Sequence, residues 1–384
     1  MKFGPDGRLY TSDWATGWPK SKRGRIYTIS DPAQAQSPLV QATRQLIGGD
    51  WTRRSPAELA RLLGHADWRV RLEAQFELAG RGDIPEFENV LATSDHSQSA
   101  NLHAVWGLGQ IAARSPRALR AVRDHAKSPD LLFPEVRAQA VKVLGEHHNP
   151  SDAGIFLRAL EDRNPRVKFF AAQALGKLKR AADTPALLAA LRANHNDDHT
   201  LRHALVLGLA GCNHRAALAA AITDSSPAVR LGVLLALRRL QNPEVAKFLS
   251  DSDPSLVREA ALAINDAPIN PALPALAALL DRPIRDEPIL FRAINAHFRL
   301  GRPENASALA TFAARAEAPA RARAEALAQL AQWPKPLQRD RLVGVYRPTA
   351  EPTRDRTVAV AALARIAPAL LTAGSPSPVQ AAAL

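Results

Sequence analysis

Apolar residues recur three and four positions apart through most of this chain, from about residue 55 onward. Residues 155–176 read IFLRALEDRNPRVKFFAAQALG, where a short polar break at 161–164 separates two such runs. This spacing places the apolar side chains along one face of an α-helix. The pattern therefore predicts short amphipathic helices in pairs, each pair joined by a tight turn.

The paired pattern is an internal repeat. Segments that open the second helix of a pair share the core Pro-x-Val-Arg-x-x-Ala-x-x-Ala-Leu, most clearly at 134–145, 162–175, 224–230 and 253–262. The basic position of this core recurs every 28 to 34 residues. It is occupied by Arg71, Arg137, Lys168, Arg202, Arg230, Arg258 and Arg292, with His103 standing in the second copy.

Each position of the core has a physical role. An aspartate ahead of the helix accepts hydrogen bonds from unpaired backbone N–H groups, and a proline at the first helical position sacrifices no hydrogen bond. The basic side chain is expected to reach an acidic turn of the adjacent repeat. This predicts an interrepeat ladder with Asp67, Asp162, Asp224 and Asp253. The alternative is that the basic residues line a concave surface for an anionic partner.

The chain length and the net charge limit which architectures and which partners are expected. The chain has 384 residues, more than one compact core usually holds, and stacked pairs remove this difficulty because each pair contacts only its neighbours. The net charge is +13, but the arginines are spread along the chain, which disfavours a nucleic-acid partner. The sequence has no apolar run of about 18 residues, so no membrane span is expected. The single cysteine, Cys212, cannot form an internal disulfide and is expected to be buried.

The first 30 residues follow a different pattern. Residues 8–13 and 25–29 alternate apolar and polar side chains as β-strands do, and the GPDG sequence at 4–7 is typical of a turn. Two strands joined by a long loop are not stable alone. They must therefore complete a sheet or pack against another part of the protein.

The period and the core motif resemble those of HEAT repeats, including the short repeats of the PBS-lyase type. The resemblance implies an all-α fold, a right-handed HEAT-repeat α-solenoid of about nine helix pairs at 55–365. The two-stranded β segment at 1–30 and a linker at 31–54 precede this array. Residues 366–384 are expected to form a frayed tail.

A wider resemblance rests on FGPDGRLYTSDW and GRIYTI in the opening stretch, and on residues 54–82, 101–116 and 332–348. Together they resemble the large secreted multidomain proteins of planctomycetes and verrucomicrobia. Those proteins join a propeller like that of glucose/sorbosone dehydrogenases to HEAT repeats and a cytochrome c domain. The resemblance implies that 1–30 is the remnant of the last propeller blade, with Asp13 and Trp14 in structural roles.

The same resemblance implies that this chain is the middle of such a protein, in a periplasmic or secreted location. The catalytic and quinone-binding residues would then lie upstream and the haem-attachment motif downstream. No catalytic residue and no cofactor are therefore expected in this chain. Its expected partners are another protein or the flanking propeller and cytochrome c domains.

Two groups of residues are candidates for a site. His195, His199 and His203 are spaced four apart and resemble a metal site, although residues 194–199 also fit an interhelix loop. Trp68, His103 and Trp106 are candidates for a partner surface. Packing between repeats is the alternative for these tryptophans, and it is also expected for Trp333.

These observations predict a non-catalytic scaffold for protein–protein or interdomain contacts. The sequence has no nucleophile elbow, phosphate-binding loop, dinucleotide fingerprint or carboxylate pair at a suitable spacing. Two alternatives stay open. One is a nucleic-acid-binding HEAT protein with the architecture of the alkylpurine glycosylases, and the other is a bilin-lyase-like HEAT enzyme.

Overall fold

The structure, a computed structural model, describes residues 1–14, 24–93, 97–128, 133–372 and 376–383. The predicted all-α fold, with stacked helix pairs and a short β segment at the N-terminus, is confirmed. The chain divides into two compact units, Met1–Leu178 and Lys179–Leu384.

The N-terminal unit begins with an antiparallel sheet of three strands, β1 (Lys2–Phe3), β2 (Leu9–Trp14) and β3 (Gly24–Ile29), in that order. Two strands were expected, and β1 is the addition. It pairs with Leu9 and Tyr10 across the predicted turn, and two residues are too few to show alternation. The loop at 15–23 and the side chain of Trp14 lie outside the described part of the chain. Asp13 is paired with Arg25 in the strand register.

In the described ranges of this unit four helix pairs follow, and the second helix of each pair packs on the second helix of the next. The first helices are α3 (Pro56–Leu62), α5 (Ile84–Ala92), α7 (Leu119–Lys127) and α9 (Ala153–Ala159). The second helices are α4 (Trp68–Arg81), α6 (Gln98–Ala112), α8 (Pro134–Glu146) and α10 (Pro165–Leu178). Their apolar faces are buried as the periodicity predicts, with Val70, Leu108, Leu144 and Leu175 at 0% exposure.

Residues 31–54, expected to be a linker, contain two helices, α1 (Pro32–Ala35) and α2 (Pro38–Gly48). Helix α2 packs on α4. The guanidinium of Arg81 fixes the end of this segment, because it donates to the carbonyl oxygens of Trp51, Thr52 and Arg54 at 2.8–3.2 Å. The segment is therefore a docked part of the unit rather than a connector.

The part of the C-terminal unit that the structure describes contains five further pairs. The first segments are α11 (Thr184–Asn194), α13 (Arg215–Ala220), the 3₁₀-helix Pro243–Ser250, α16 (Leu273–Ala277) and α18 (Pro303–Ala314). The second helices are α12 (His199–Cys212), α14 (Pro227–Arg239), α15 (Pro254–Asp266), α17 (Glu287–Leu300) and α19 (Ala320–Ala331). Successive second helices again pack on one another.

Beyond α19 the repeat pattern stops. Residues 332–355 form an irregular segment in which Arg339 and Tyr346 make an antiparallel bridge, and α20 (Arg356–Leu370) and α21 (Ser377–Ala383) follow. Residues 366–384 were expected to be frayed. Instead α21 packs on α19, and the side chains of Leu370 and Val379 are buried, because these apolar residues cover the open end of the last pair.

Aspartate caps of the predicted type start four of the second helices described here, α4, α12, α15 and α17. At α15 the carboxylate of Asp253 accepts hydrogen bonds from the backbone N and hydroxyl of Ser255, at 2.8 and 2.7 Å. We expect Asp253→Ala to lower the free energy of unfolding of the C-terminal unit by about 1 kcal/mol, because a free N–H group loses its acceptor. Urea unfolding, monitored by circular dichroism, measures the change in the free energy of unfolding. Ser252→Ala, at an exposed neighbouring position, is the control and should leave the midpoint in place.

Candidate functional site

Three of the ladder arginines bind a carboxylate in the turn that precedes the next second helix. Arg137 pairs with Asp162 through two hydrogen bonds of 2.7 and 3.0 Å. Arg230 pairs with Asp251 at 2.9 and 3.1 Å, and Arg258 pairs with Asp286. Burial alone would raise the pKa of Asp162, but hydrogen bonds from Arg137 and from the amide of Asn164 hold it below its ordinary value. Each of these three contacts joins one helix pair to the next.

The other basic residues of the series bond differently. Arg292 turns back to Asp266 at the end of α15, at 2.8 Å. Arg71 donates to the carbonyl oxygens of His65 and Ala66 and to Nε2 of His103. No ion pair of Lys168 is found among the described residues, although its charge contributes to the lowered pKa of Asp162.

The four aspartates of the predicted ladder also have different partners. Among the described residues, Asp162 is the one of the four whose carboxylate bonds a ladder arginine. Asp67 binds the neighbouring Arg69 at 2.7 Å and caps α4. Asp253 caps α15 instead of joining the ladder, and the carboxylate that binds Arg230 is that of Asp251, two residues earlier.

Arg202 on α12 is an exception in the ladder. By analogy with Arg137 and Arg230, its acceptor should be Asp224, in the turn before α14. Oδ2 of Asp224 instead accepts from Arg192 at 2.6 Å, and its Oδ1 accepts from the amide of Ser226 at 2.9 Å. Among the described residues, no carboxylate pairs with the half-buried Arg202.

The side chain of Arg202 lines a groove between α12 and α14. The groove has a volume of about 680 Å³, within the usual range for ligand pockets. Half-buried Leu207 and Leu235, with buried Val206, supply its apolar surface. The residues lining the groove are His199, Arg202, His203, Val206, Leu207, Leu235, Arg238, Arg239, Leu240, Gln241 and Ala267.

The groove is electropositive. Of its three arginines, only Arg238 pairs with a carboxylate, that of Glu259 at 3.0 Å. Arg239 is exposed, and no ion pair of Arg202 or Arg239 is found in the described ranges. None of the described residues that line the groove is acidic. Two uncompensated guanidinium groups therefore face the same open space as two imidazoles.

The three candidate metal-binding histidines separate into two groups. His199 and His203 lie one turn apart on α12 and both line the groove. His195 caps the end of α11 in a left-handed conformation, before the turn that starts α12. The helix begins at His199 because the carboxylate of Asp198 accepts from the amide of Leu201 at 2.9 Å. Over the described ranges, no three His, Cys, Asp or Glu side chains converge as metal ligands would.

The candidate partner surface in the N-terminal unit is partly buried. Trp68 is 55% exposed, whereas Trp106 is half-buried and donates to Oε1 of Gln139 at 3.0 Å. His103 is buried and is not part of a surface, because its ring bonds Gln75 and Arg71 and meets Trp106 edge-on. Burial, followed by the charge of Arg71, lowers the pKa of His103 to about 4. Of the three candidates, only Trp68 presents most of its side chain to solvent.

Two further predictions concern buried residues. Trp333 is 1% exposed, where it stacks edge-on against Phe298 and lies under Arg354. Cys212 is buried, and burial raises the pKa of its thiol to about 11, so the thiolate is disfavoured at neutral pH. Both residues belong to the packing of the C-terminal unit.

The groove residues Arg238, Arg239, Leu207 and Leu235 were not among the candidates from sequence. The two consecutive arginines at the end of α14 were the sequence signal that could have indicated the groove, since they interrupt the apolar periodicity at a helix end. None of the helices in the described ranges has the length and apolar content to cross a bilayer.

Comparisons with known proteins support the repeat assignment. The family model for HEAT repeats matches residues 130–210 and 192–265. No curated protein sequence matches the chain significantly. Similar solved structures include YibA of Escherichia coli, at 18% identity and a TM-score of 0.38, covering 64% of this chain and 93% of that one.

Another similar structure is the complex of CpcE and CpcF of phycocyanin lyase from Nostoc sp. PCC7120. It has 19% identity and a TM-score of 0.29, and covers 75% of this chain and 94% of that one. Both TM-scores are below 0.5, so neither structure indicates the function of this chain. The match to the HEAT-repeat family model spans the middle of the chain, residues 130–265.

Proposed function

We propose that this chain is a non-catalytic scaffold that binds a protein partner, and that the groove between α12 and α14 is a principal contact site. The observation that carries the proposal is the groove itself. It combines half-buried leucines with two guanidinium groups that have no carboxylate among the described residues. Apolar surface beside arginine is the composition that protein interfaces favour.

The repeat architecture suits this role. Each helix pair is fixed by its neighbours through buried alanine and leucine contacts and through ion pairs such as Arg137–Asp162 and Arg230–Asp251. A site on two successive second helices is therefore held by rigid elements rather than by loops. A rigid site binds at a lower entropic cost than a mobile one.

We also propose, from the sequence resemblance, that the scaffold lies between a propeller domain and a haem c electron-acceptor domain. The exposed sheet of the N-terminal unit supports this. On β3, Ile26 and Ile29 are 75% and 60% exposed, and that edge of the sheet is unpaired within the described residues. Sequencing the DNA on both sides of the segment that encodes this chain, in the same reading frame, tests the proposal. A propeller upstream and a CxxCH motif downstream are expected, and a frame with neither would contradict it.

Site-specific photo-crosslinking tests the partner role of the groove. We expect benzoylphenylalanine at position 207, in place of the groove-lining Leu207, to form a covalent adduct with one protein in cells of the native host. The same group at position 285 is the matched control, because Arg285 is exposed and does not line the groove. Equal crosslinking at both positions, or none at 207, would contradict the proposal.

A further inference from the structure

We propose that the groove between α12 and α14 binds an acidic peptide segment of the partner protein. Its carboxylates would pair with Arg202 and Arg239, and an apolar side chain of the segment would cover Leu207 and Leu235. The inference rests on the proposed function and adds the chemistry of the ligand. It is carried by the juxtaposition of unneutralised arginines and apolar surface on two adjacent helices.

The position of Arg202 is the first argument for a carboxylate ligand. At equivalent positions Arg137, Arg230 and Arg258 each bond an aspartate of the following turn. The guanidinium of Arg202 is of the same type and is half-buried, but the aspartate of the following turn, Asp224, is held by Arg192. A partly desolvated guanidinium binds a carboxylate through strong, paired hydrogen bonds. A partner's carboxylate would therefore complete the ladder at this position.

The apolar surface is the second argument, because it favours a peptide over a nucleic acid. Val206, Leu207 and Leu235 form the apolar part of the groove, and an aliphatic side chain can cover them. None of the described lining residues is Phe, Tyr or Trp. Single-stranded nucleic acids are held by stacking of bases on aromatic rings, and this surface offers no such ring.

His199 and His203 are the third element. They lie at successive turns on the same face of α12 as Arg202, and both are exposed. Each imidazole can donate a hydrogen bond to a carboxylate oxygen or a backbone carbonyl. The row of donors along α12 therefore matches a segment with more than one acidic residue.

Peptide selection tests the chemistry of the ligand without knowledge of the partner. A phage-displayed library of random dodecapeptides is panned against the full chain, and against its Arg202→Gln/Arg239→Gln variant as a counter-selection. We expect the peptides that require the wild-type groove to contain at least two acidic residues beside a leucine, isoleucine or phenylalanine. A selection that yields only peptides without acidic residues, or none that depend on the two arginines, would overturn the proposal.

Binding of a selected peptide in solution gives the second measurement. With a fluorescein-labelled peptide and anisotropy detection, Arg202→Gln should weaken binding about tenfold and Arg239→Gln about threefold, because Arg239 is more exposed. Arg202→Lys should retain part of the affinity. Arg285→Gln removes the same charge outside the groove and should leave affinity unchanged, and circular dichroism melting verifies that all variants are folded. Equal affinities for Arg202→Gln and the wild type would contradict the proposal.

Two further experiments distinguish binding of an acidic peptide from binding of a nucleic acid and from a scaffold role without an acidic ligand. Labelled single-stranded and duplex DNA are titrated at low salt, and tighter binding of DNA than of the peptide, abolished by Arg202→Gln, would replace the peptide with a nucleic acid. If a partner crosslinks at position 207 but its binding does not depend on Arg202, the scaffold role would stand and an acidic ligand would be excluded. Peptide binding without any crosslinked partner in cells would contradict the proposed function instead.

Discussion

Asp340→Ala is expected to lower the free energy of unfolding of the C-terminal unit by about 3–5 kcal/mol, because two largely buried guanidinium groups would lose their carboxylate. The side chain of Asp340 has no solvent exposure, and its Oδ2 lies 3.5 Å from Nη1 of both Arg299 and Arg347. The same oxygen accepts from Asn295 at 3.0 Å, and Oδ1 accepts from the amides of Leu342 and Val343. One carboxylate thus anchors residues 332–355 to α17.

Urea unfolding of the full chain measures this effect. Asp340→Asn keeps the shape and some of the hydrogen bonds, so it should cost less than alanine but more than a surface substitution. Glu244→Ala is the control, because Glu244 pairs with Lys247 at the surface, where ion pairs contribute at most about 1 kcal/mol. A loss with Asp340→Ala no larger than that of Glu244→Ala would show that the buried cluster contributes little.

The pH dependence of the same variants provides an independent check. Burial alone would raise the pKa of Asp340, but hydrogen bonds from Asn295 and two amides, with the charge of Arg347, bring it below its ordinary value. A carboxyl group whose folded pKa is lowered stabilises the fold above its unfolded pKa, about 3.9 for aspartate. This stabilisation is lost as the pH falls through the folded pKa. The difference between wild type and Asp340→Asn should therefore be full at neutral pH and shrink in acid below about pH 4.

Local signals in the sequence predict the helices well. A polar cap followed by proline marks the start of α3, α10 and α15, and the apolar period places Val70, Leu144 and Leu175 in the interior, where the structure has them. The cap geometry involves atoms only two or three residues apart. Such contacts depend on the local chain, which is why sequence alone can predict them.

The partners of long side chains depend on distances that sequence does not contain. Asp253 matches the ladder motif, yet its carboxylate caps its own helix, and Asp251, two residues earlier, receives Arg230. Arg202 matches the motif as well, but Arg192 on another helix takes Asp224. Competition between two arginines for one carboxylate depends on how the helices pack. For this reason the groove, the principal candidate site, was not predicted from sequence.

The glycines at 107 and 109 are a second case in which sequence does not identify a contact between helices. Their place inside a helical pattern indicates close packing, but sequence does not identify the neighbour. In the structure a Cβ atom on Gly107 would lie 2.2 Å from Cζ of Phe87, whose ring on α5 is fully buried. The missing side chain of Gly107 is therefore the space that the ring of Phe87 fills, and α6 can approach α5 only with glycine at this position.

Gly107→Ala is consequently expected to destabilise the N-terminal unit by about 2 kcal/mol, although alanine is the better helix former. Overpacking of a buried site costs typically about 1–3 kcal/mol, and here the ring has no exposed side toward which to move. The gain in helix propensity offsets at most about 1 kcal/mol of this cost. Urea unfolding by circular dichroism measures the net change.

Gly80→Ala is the control that measures the gain in helix propensity without the cost of overpacking. Gly80 lies in α4, and a Cβ atom added there would meet no atom within 4 Å. The same substitution should therefore stabilise the unit by up to about 1 kcal/mol, because only the conformational term changes. The double variant Gly107→Ala/Phe87→Leu should recover part of the loss, since a smaller side chain gives the new methyl group room. If Gly107→Ala instead stabilised the protein as Gly80→Ala does, the close contact between α5 and α6 would not exist in solution.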